Sequence, residues 1–162
     1  MQRTLTLIAF TLMLAAASGA KAHEGYDKGI QAYSCVDYPK ALSLFKEYAE
    51  QGHGLSQYMV GIMLEQGQGA TEDVSAAFNW YMKSAQQGIT DSYFALGDMY
   101  SRGVHVAKDP AQAYTWFELA QRGGHKLAKD ALNSLTASLS AEQMAEARVA
   151  ADKWTAKLSA SK

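Results

Sequence analysis

The stretch Ala77-Phe-Asn-Trp-Tyr-Met-Lys-Ser-Ala-Gln-Gln-Gly88 decides the fold, because it occurs three times. Thirty-six residues earlier stands Ala41-Leu-Ser-Leu-Phe-Lys-Glu-Tyr-Ala-Glu-Gln-Gly52, and 36 later Ala113-Tyr-Thr-Trp-Phe-Glu-Leu-Ala-Gln-Arg-Gly-Gly124. Apolar residues match at helical spacing in all three. A period of this length with such matches marks a solenoid of stacked helix pairs. A solenoid presents an extended surface, so its default function is binding.

The same register extends on both sides. Ser56-Gln-Tyr-Met-Val-Gly-Ile-Met-Leu-Glu-Gln-Gly67 aligns with Ser92-Tyr-Phe-Ala-Leu-Gly-Asp-Met-Tyr-Ser-Arg-Gly103. Each unit therefore holds two helices, A and B. In the middle unit helix A is predicted over Leu55–Gln66 and helix B over Val74–Gln87. Val60 and Leu64, then Leu96 and Tyr100, give helix A its apolar stripe. Ala77, Trp80, Tyr81 and Ala85 form the inner face of helix B, repeated by Ala113, Trp116, Phe117 and Ala120. Asp37, Asp73 and Asp109 stand where helix B needs an N-cap, and Pro110 suits the first turn. Gly61 and Gly97 lie inside helix A, where glycine costs about 1 kcal/mol relative to alanine. Close approach of helix B explains a cost repeated at one register.

The ends depart from the pattern. In the first unit Gly29 precedes Gly61 by 32 residues, so the connection is short. Tyr26–Ser34 and Lys40–Gln51 are its predicted helices, with Cys35-Val-Asp-Tyr-Pro39 as the turn. Ala128 and Leu132 keep the A stripe once more. Ser140 and Gln143 then form a capping box that opens a final helix to about Lys157. Met144, Ala147, Ala151 and Trp154 give that helix one apolar face, as a C-terminal cap.

Residues 1–22 read as a secretory signal peptide. Arg3 supplies the positive start, Leu5–Ala16 the apolar run, and Ala20-Lys21-Ala22 the small residues of a cleavage site. The run is too short to span a bilayer, which needs ~20 residues. Cleavage is expected after Ala22, with Ala20 as the second choice. The mature chain 23–162 loses Arg3 and Lys21, which moves the net charge from −1 to −3. It is expected to be exported, and periplasmic if the source is Gram-negative, with no membrane span after signal removal. Lysines and arginines are scattered singly, so no nucleic-acid partner is indicated. One cysteine cannot form an internal disulfide, and Cys35 is read as a small buried filler.

No nucleophile or phosphate motif is present: neither G-x-S-x-G, S-x-x-K nor G-x-x-x-x-G-K-[ST]. His23, His53, His105 and His125 show no metal-ligand spacing, so neither a metal nor a cofactor is expected. The binding candidates are helix A residues outside the packing stripe. These are Tyr58, Ile62 and Glu65 in one repeat, and Phe94, Asp98 and Arg102 in the next. Aromatics and arginine are favoured interface anchors. Packing of Tyr58 and Phe94 between repeats, or homo-oligomer formation through them, are the alternatives.

Val60-Gly61, Leu64, Gly67-x-Gly69, Asp73, Ala77, Trp80-Tyr81, Ala85 and Gln87-Gly88 together resemble one Sel1-like repeat. Leu96-Gly97, Tyr100, Gly103, Val106, Asp109, Ala113, Trp116-Phe117, Ala120 and Gly123-Gly124-His125 resemble another. Asp37–His53 is similar to the second half of a third, with a turn closer to a tetratricopeptide repeat. The expected units are 26–53, 54–89 and 90–125, with a cap at 126–158. The resemblance implies an all-α fold, an α/α right-handed superhelix, and a role as adaptor or scaffold for a protein or peptide partner. A cysteine-rich secreted branch of the family, for which β-lactamase activity has been proposed, suggests the alternative of a cell-wall-related enzyme or accessory. The single cysteine speaks against it. His105 stands where the family pattern has the second loop glycine, which predicts a distorted turn or an exposed imidazole.

Overall fold

A computed structural model describes residues 24–160 of the chain. The signal peptide, its cleavage site and His23 lie outside the described residues. Among the described residues there are helices and turns and no strand. Helix α1 covers 24–34. It is followed by α2 (Tyr38–Glu50), α3 (Gly54–Glu65), α4 (Val74–Ala85), α5 (Thr90–Arg102), α6 (Pro110–Arg122), α7 (Ala128–Leu135) and α8 (Ala141–Ala160). The odd-numbered helices to α7 are the A helices, and α2, α4 and α6 are the B helices. Helix α1 packs on α2, α3 on α4 and α5 on α6, and α2–α3, α4–α5 and α6–α7 join neighbouring units. This is the all-α helix-pair solenoid.

The punctuation works locally as the residue types require. Asp37, Asp73 and Asp109 each accept a hydrogen bond from a backbone N–H in the first turn of α2, α4 and α6. These bonds satisfy donors that a helix N-terminus leaves open. Ser140 and Gln143 exchange bonds at the start of α8, at 3.1 and 2.8 Å, as a capping box should.

The helix A glycines have one shared cause. A Cβ on Gly29 would lie 2.5 Å from the Phe45 ring, on Gly61 2.5 Å from Tyr81, and on Gly97 2.6 Å from Phe117. In each unit a helix B ring rests on bare helix A backbone. Phe45 and Tyr81 are almost fully buried, as are Val60, Met63, Leu96 and Met99 around them.

Three expectations need correction or sharpening. Cys35 is exposed, not a buried filler. It stands in the short turn after α1, beyond the last residue that the helix pair encloses. Trp80 and Trp116 share a register, yet only Trp116 is fully inside. Trp80 is partly buried, with Lys83 Nζ 4.0 Å from its ring centre. Trp116 is closed off by Trp154 of α8, edge-on at 4.8 Å. His105 reproduces the glycine conformation: its φ is +64°, against +81° at Gly69. The turn is kept, and the exposed imidazole leans on Phe78 at 5.3 Å.

The C-terminal helix breaks the alternation. It docks on α6, burying Ala147 and Ala151. Arg122 bridges Glu118 and Asp152, Arg148 reaches the Tyr114 hydroxyl at 2.8 Å, and Trp154 Nε1 lies 3.4 Å from the Tyr93 hydroxyl.

Candidate functional site

The candidate face is made of helix A residues outside the stripe that Val60, Leu64 and Leu96 bury. At one register along it stand Tyr26, Tyr58 and Phe94, at the early turns of α1, α3 and α5. All three are partly buried. Their rings lean back on the B helix of their own unit: Tyr26 on Phe45 at 5.7 Å, Tyr58 on Tyr81 at 5.9 Å, and Phe94 on Phe117 at 5.2 Å. The residue that follows each helix B closes two of these stacks. His53 lies 5.5 Å from Tyr26, and His125 lies flat on Phe94 at 4.1 Å. Each imidazole is also anchored in a helix start: His53 Nδ1 accepts from Ser56 N–H, and His125 Nδ1 from Leu127 N–H.

The six candidate residues fall into this setting as follows. Ile62 packs partly against the core below Tyr58. Glu65 accepts the Tyr81 hydroxyl at 2.7 Å, so its carboxylate serves the helix pair as well as the face. Asp98 accepts from exposed Arg102 at 2.7 Å, one turn apart on α5. Tyr58 and Phe94 are partly exposed, with Tyr58 packed on Tyr81 and Phe94 on Phe117 and His125.

Electrostatics connects the two repeats. Burial first, then the Asp91 and Glu65 carboxylates and Tyr26, pushes the Tyr58 phenol up to about 12. Tyr26 is raised by burial, then by Asp27 and by Asp91. Tyr81 is raised much further, by burial and by its hydrogen bond to Glu65, with Tyr58 and Asp98 adding to it. The charge of Asp91, on α5, thus reaches a phenol on α1, two units away.

The sequence reading took His125 only as part of the repeat pattern and did not name Asp91. The Asp91 carboxylate stands 3.6 Å from His125 Nε2. Asp91 lies three residues before Phe94, so the i, i+3 rule places it on the same face. Tyr26 was equally findable, since it precedes Tyr58 by the 32 residues that separate Gly29 from Gly61. Beside Asp91 opens a cleft of about 520 Å³, lined by Asp91, Gly124, His125, Lys126 and Leu127. Among the described residues no group of three or more histidines, cysteines or carboxylates could hold a metal ion, and no helix is long and apolar enough to cross a membrane.

The Sel1 repeat family profile matches residues 24–53, 54–89 and 90–125. The chain belongs to the Sel1-repeat family. Two solved structures resemble this Sel1-repeat protein. One is a protective antigen present in uropathogenic Escherichia coli strains, displaying an SLR fold. It is 27% identical, with a TM-score of 0.79 over 85% of this chain and 30% of the other. The second is a Sel1 repeat protein from Oxalobacter formigenes, 27% identical, with a TM-score of 0.65 over 68% of this chain and 46% of the other. The chain thus spans less than half the length of either. A search of curated proteins gives no significant match. Sel1 repeats commonly mediate protein–protein interaction, and these scaffolds are typically non-catalytic.

Proposed function

We propose that this Sel1-repeat protein is an exported adaptor that binds a protein or peptide partner through the face of its A helices. The observation that carries the reading is the row Tyr26, Tyr58 and Phe94. One aromatic per unit stands at one register, each held by packing on its own B helix. Rings fixed in this way lose little entropy when a partner covers them, so the contact area they offer comes at low cost. Glu65, Asp98 and Arg102 supply polar groups beside the row, and Ile62 supplies apolar area. Export is supported by the charge, apolar run and small residues of 1–22.

The test is site-specific photocrosslinking of the full-length chain in its native cells. A photoreactive residue at Asp91 or Arg102 reports on the A face, and one at Glu146 of α8 serves as the control. A partner captured from Asp91 and Arg102 but not from Glu146 supports the reading. Capture from Glu146 alone moves the binding surface to the opposite side. Recovery of the crosslinked product in the cytoplasmic fraction alone removes the exported role.

A further inference from the structure

Helix α8 has two faces of different character. Toward α6 it buries Ala147 and Ala151, and its charges on that side are engaged: Arg148 reaches the Tyr114 hydroxyl at 2.8 Å, and Asp152 accepts from Arg122 at 2.6 Å. On the far side Glu142, Ala145, Glu146, Val149, Ala150 and Lys153 recur at helical spacing, and all six are exposed. They line one groove of about 440 Å³. Val149 at its centre is 50% exposed. Among the described residues, Glu142, Glu146 and Lys153 have no ion-pair partner within the chain.

The stripe is ordered by charge. Two carboxylates precede Val149 and a lysine follows it, each within two turns. A half-turn about an axis beside Val149 therefore brings the lysine end of one such helix to the carboxylate end of another. A parallel copy would set carboxylate against carboxylate and lysine against lysine. Ala145 and Ala150, small and next to Val149, let two helices come close.

We propose that the outer stripe of α8 binds the same stripe of a second copy of this chain, antiparallel about a two-fold axis at Val149. Each Lys153 meets the Glu142 and Glu146 end of the other helix, and the two Val149 side chains leave water together. The interface is isologous, so every contact occurs twice. One helix pair stays below the ~1,200 Å² of a standard interface, which makes the dimer weak and reversible. None of the A-face residues takes part, so this pairing stands apart from the adaptor reading.

The test is analytical ultracentrifugation of the chain purified from its native cells. The wild type is expected to dimerise at about 100 μM and above, the range of an interface of this size, and less as salt is raised. Lys153→Glu makes the stripe wholly acidic, and Glu142→Lys with Glu146→Lys makes it wholly basic. Each is expected to weaken self-association about tenfold or more, since symmetry doubles the loss of an exposed pair. A 1:1 mixture of the two variants is expected to recover the dimer, which a misfolded variant could not do. A wild type that stays monomeric, a dimer indifferent to Lys153→Glu, or a mixture that does not associate overturns the proposal.

Discussion

The second and third repeats share a sequence pattern yet are joined to their neighbours by different forces. In the second, buried polar groups tie its helices to each other and to both neighbours. Gln57 Nε2 donates to the Ala49 carbonyl at 3.0 Å, and Gln87 Nε2 to Gln57 Oε1 at 2.7 Å. Ser84 Oγ donates to the Gly54 carbonyl at 2.8 Å, and Ser92 Oγ to Ser84 Oγ at 2.6 Å. At the matching positions of the third repeat stand Tyr93 for Gln57, Ala120 for Ser84 and Gly123 for Gln87. There the joint is a ring stack: Tyr93 on Trp116 at 6.0 Å, and Trp116 on Trp154 at 4.8 Å. Gln57 and Ser84 of this middle repeat reach the units on either side, through Ala49 and Ser92, while the bonds of Gln87 to Gln57 and of Ser84 to Gly54 tie its own two helices together. The last repeat meets a helix of different sequence, and non-directional apolar burial tolerates that mismatch.

The largest test of this contrast is a pair of tryptophan truncations. Trp116→Ala is expected to cost about 3–5 kcal/mol in urea unfolding, the usual range for a buried tryptophan. Trp80→Ala, at the same register but partly exposed, is expected to cost roughly half as much. Equal losses would break the comparison.

Next come the helix A glycines. Gly61→Ala and Gly97→Ala each force a Cβ against a ring and are expected to cost about 1–3 kcal/mol by overpacking, despite alanine's better helix propensity. Similar costs in both repeats would show that this contact is common to them and lies outside the contrast.

Tyr81 and Phe117 rest on those glycines, but only Tyr81 has a hydroxyl, bonded to Glu65. Tyr81→Phe is expected to cost about 1.5–3 kcal/mol, since the acceptor is charged and only partly solvated. Phe117→Tyr gains no such partner, because Ser101 stands where Glu65 does. The tyrosines also set an alkaline limit. Tyr58 holds its proton more tightly when folded, to about 12 against 10.0. Its contribution is therefore complete below pH 10 and is lost as pH rises through about 12. Stability measured across that window should fall less steeply in Tyr58→Phe than in the wild type.

The smallest effect is expected at the loop. His105→Gly relieves a positive φ but removes the stack on Phe78, and the two nearly offset, leaving under about 1 kcal/mol in thermal unfolding.

The repeat architecture was legible because its cause is periodic. Gly61 and Gly97 announced the close helix contact, and Asp73, Asp109 and Ser140 announced helix starts. What stayed hidden depends on contacts without a period. Cys35 was misplaced because its turn exists only in the first unit, where four residues fewer leave it outside the helix pair. Trp80 and Trp116 looked alike because their burial differs through α8, whose docking site no pattern records. Within the candidate face, Tyr58 and Phe94 were visible as a register. Their stacking on Tyr81 and His125 was not, since it depends on how far a ring leans across the helix pair. Asp91 was passed over although its spacing from Phe94 puts it on the same face, because its neighbour His125 comes from the turn before the next helix.

The polar joint of the second repeat makes residues 54–89 an interchangeable cassette. A duplicate inserted after residue 89 would bring a second Gln57 opposite the Ala85 carbonyl, which stands 36 residues after Ala49. Its Ser56 would take the place of Ser92 beside Ser84, for those two serines share a register. The copied Gln57, Ser84 and Gln87 would meet acceptors of the same kind, with Ile89 replacing His53 as the helix cap, so the solenoid can be lengthened at its centre while the aromatic closure at its end is left untouched.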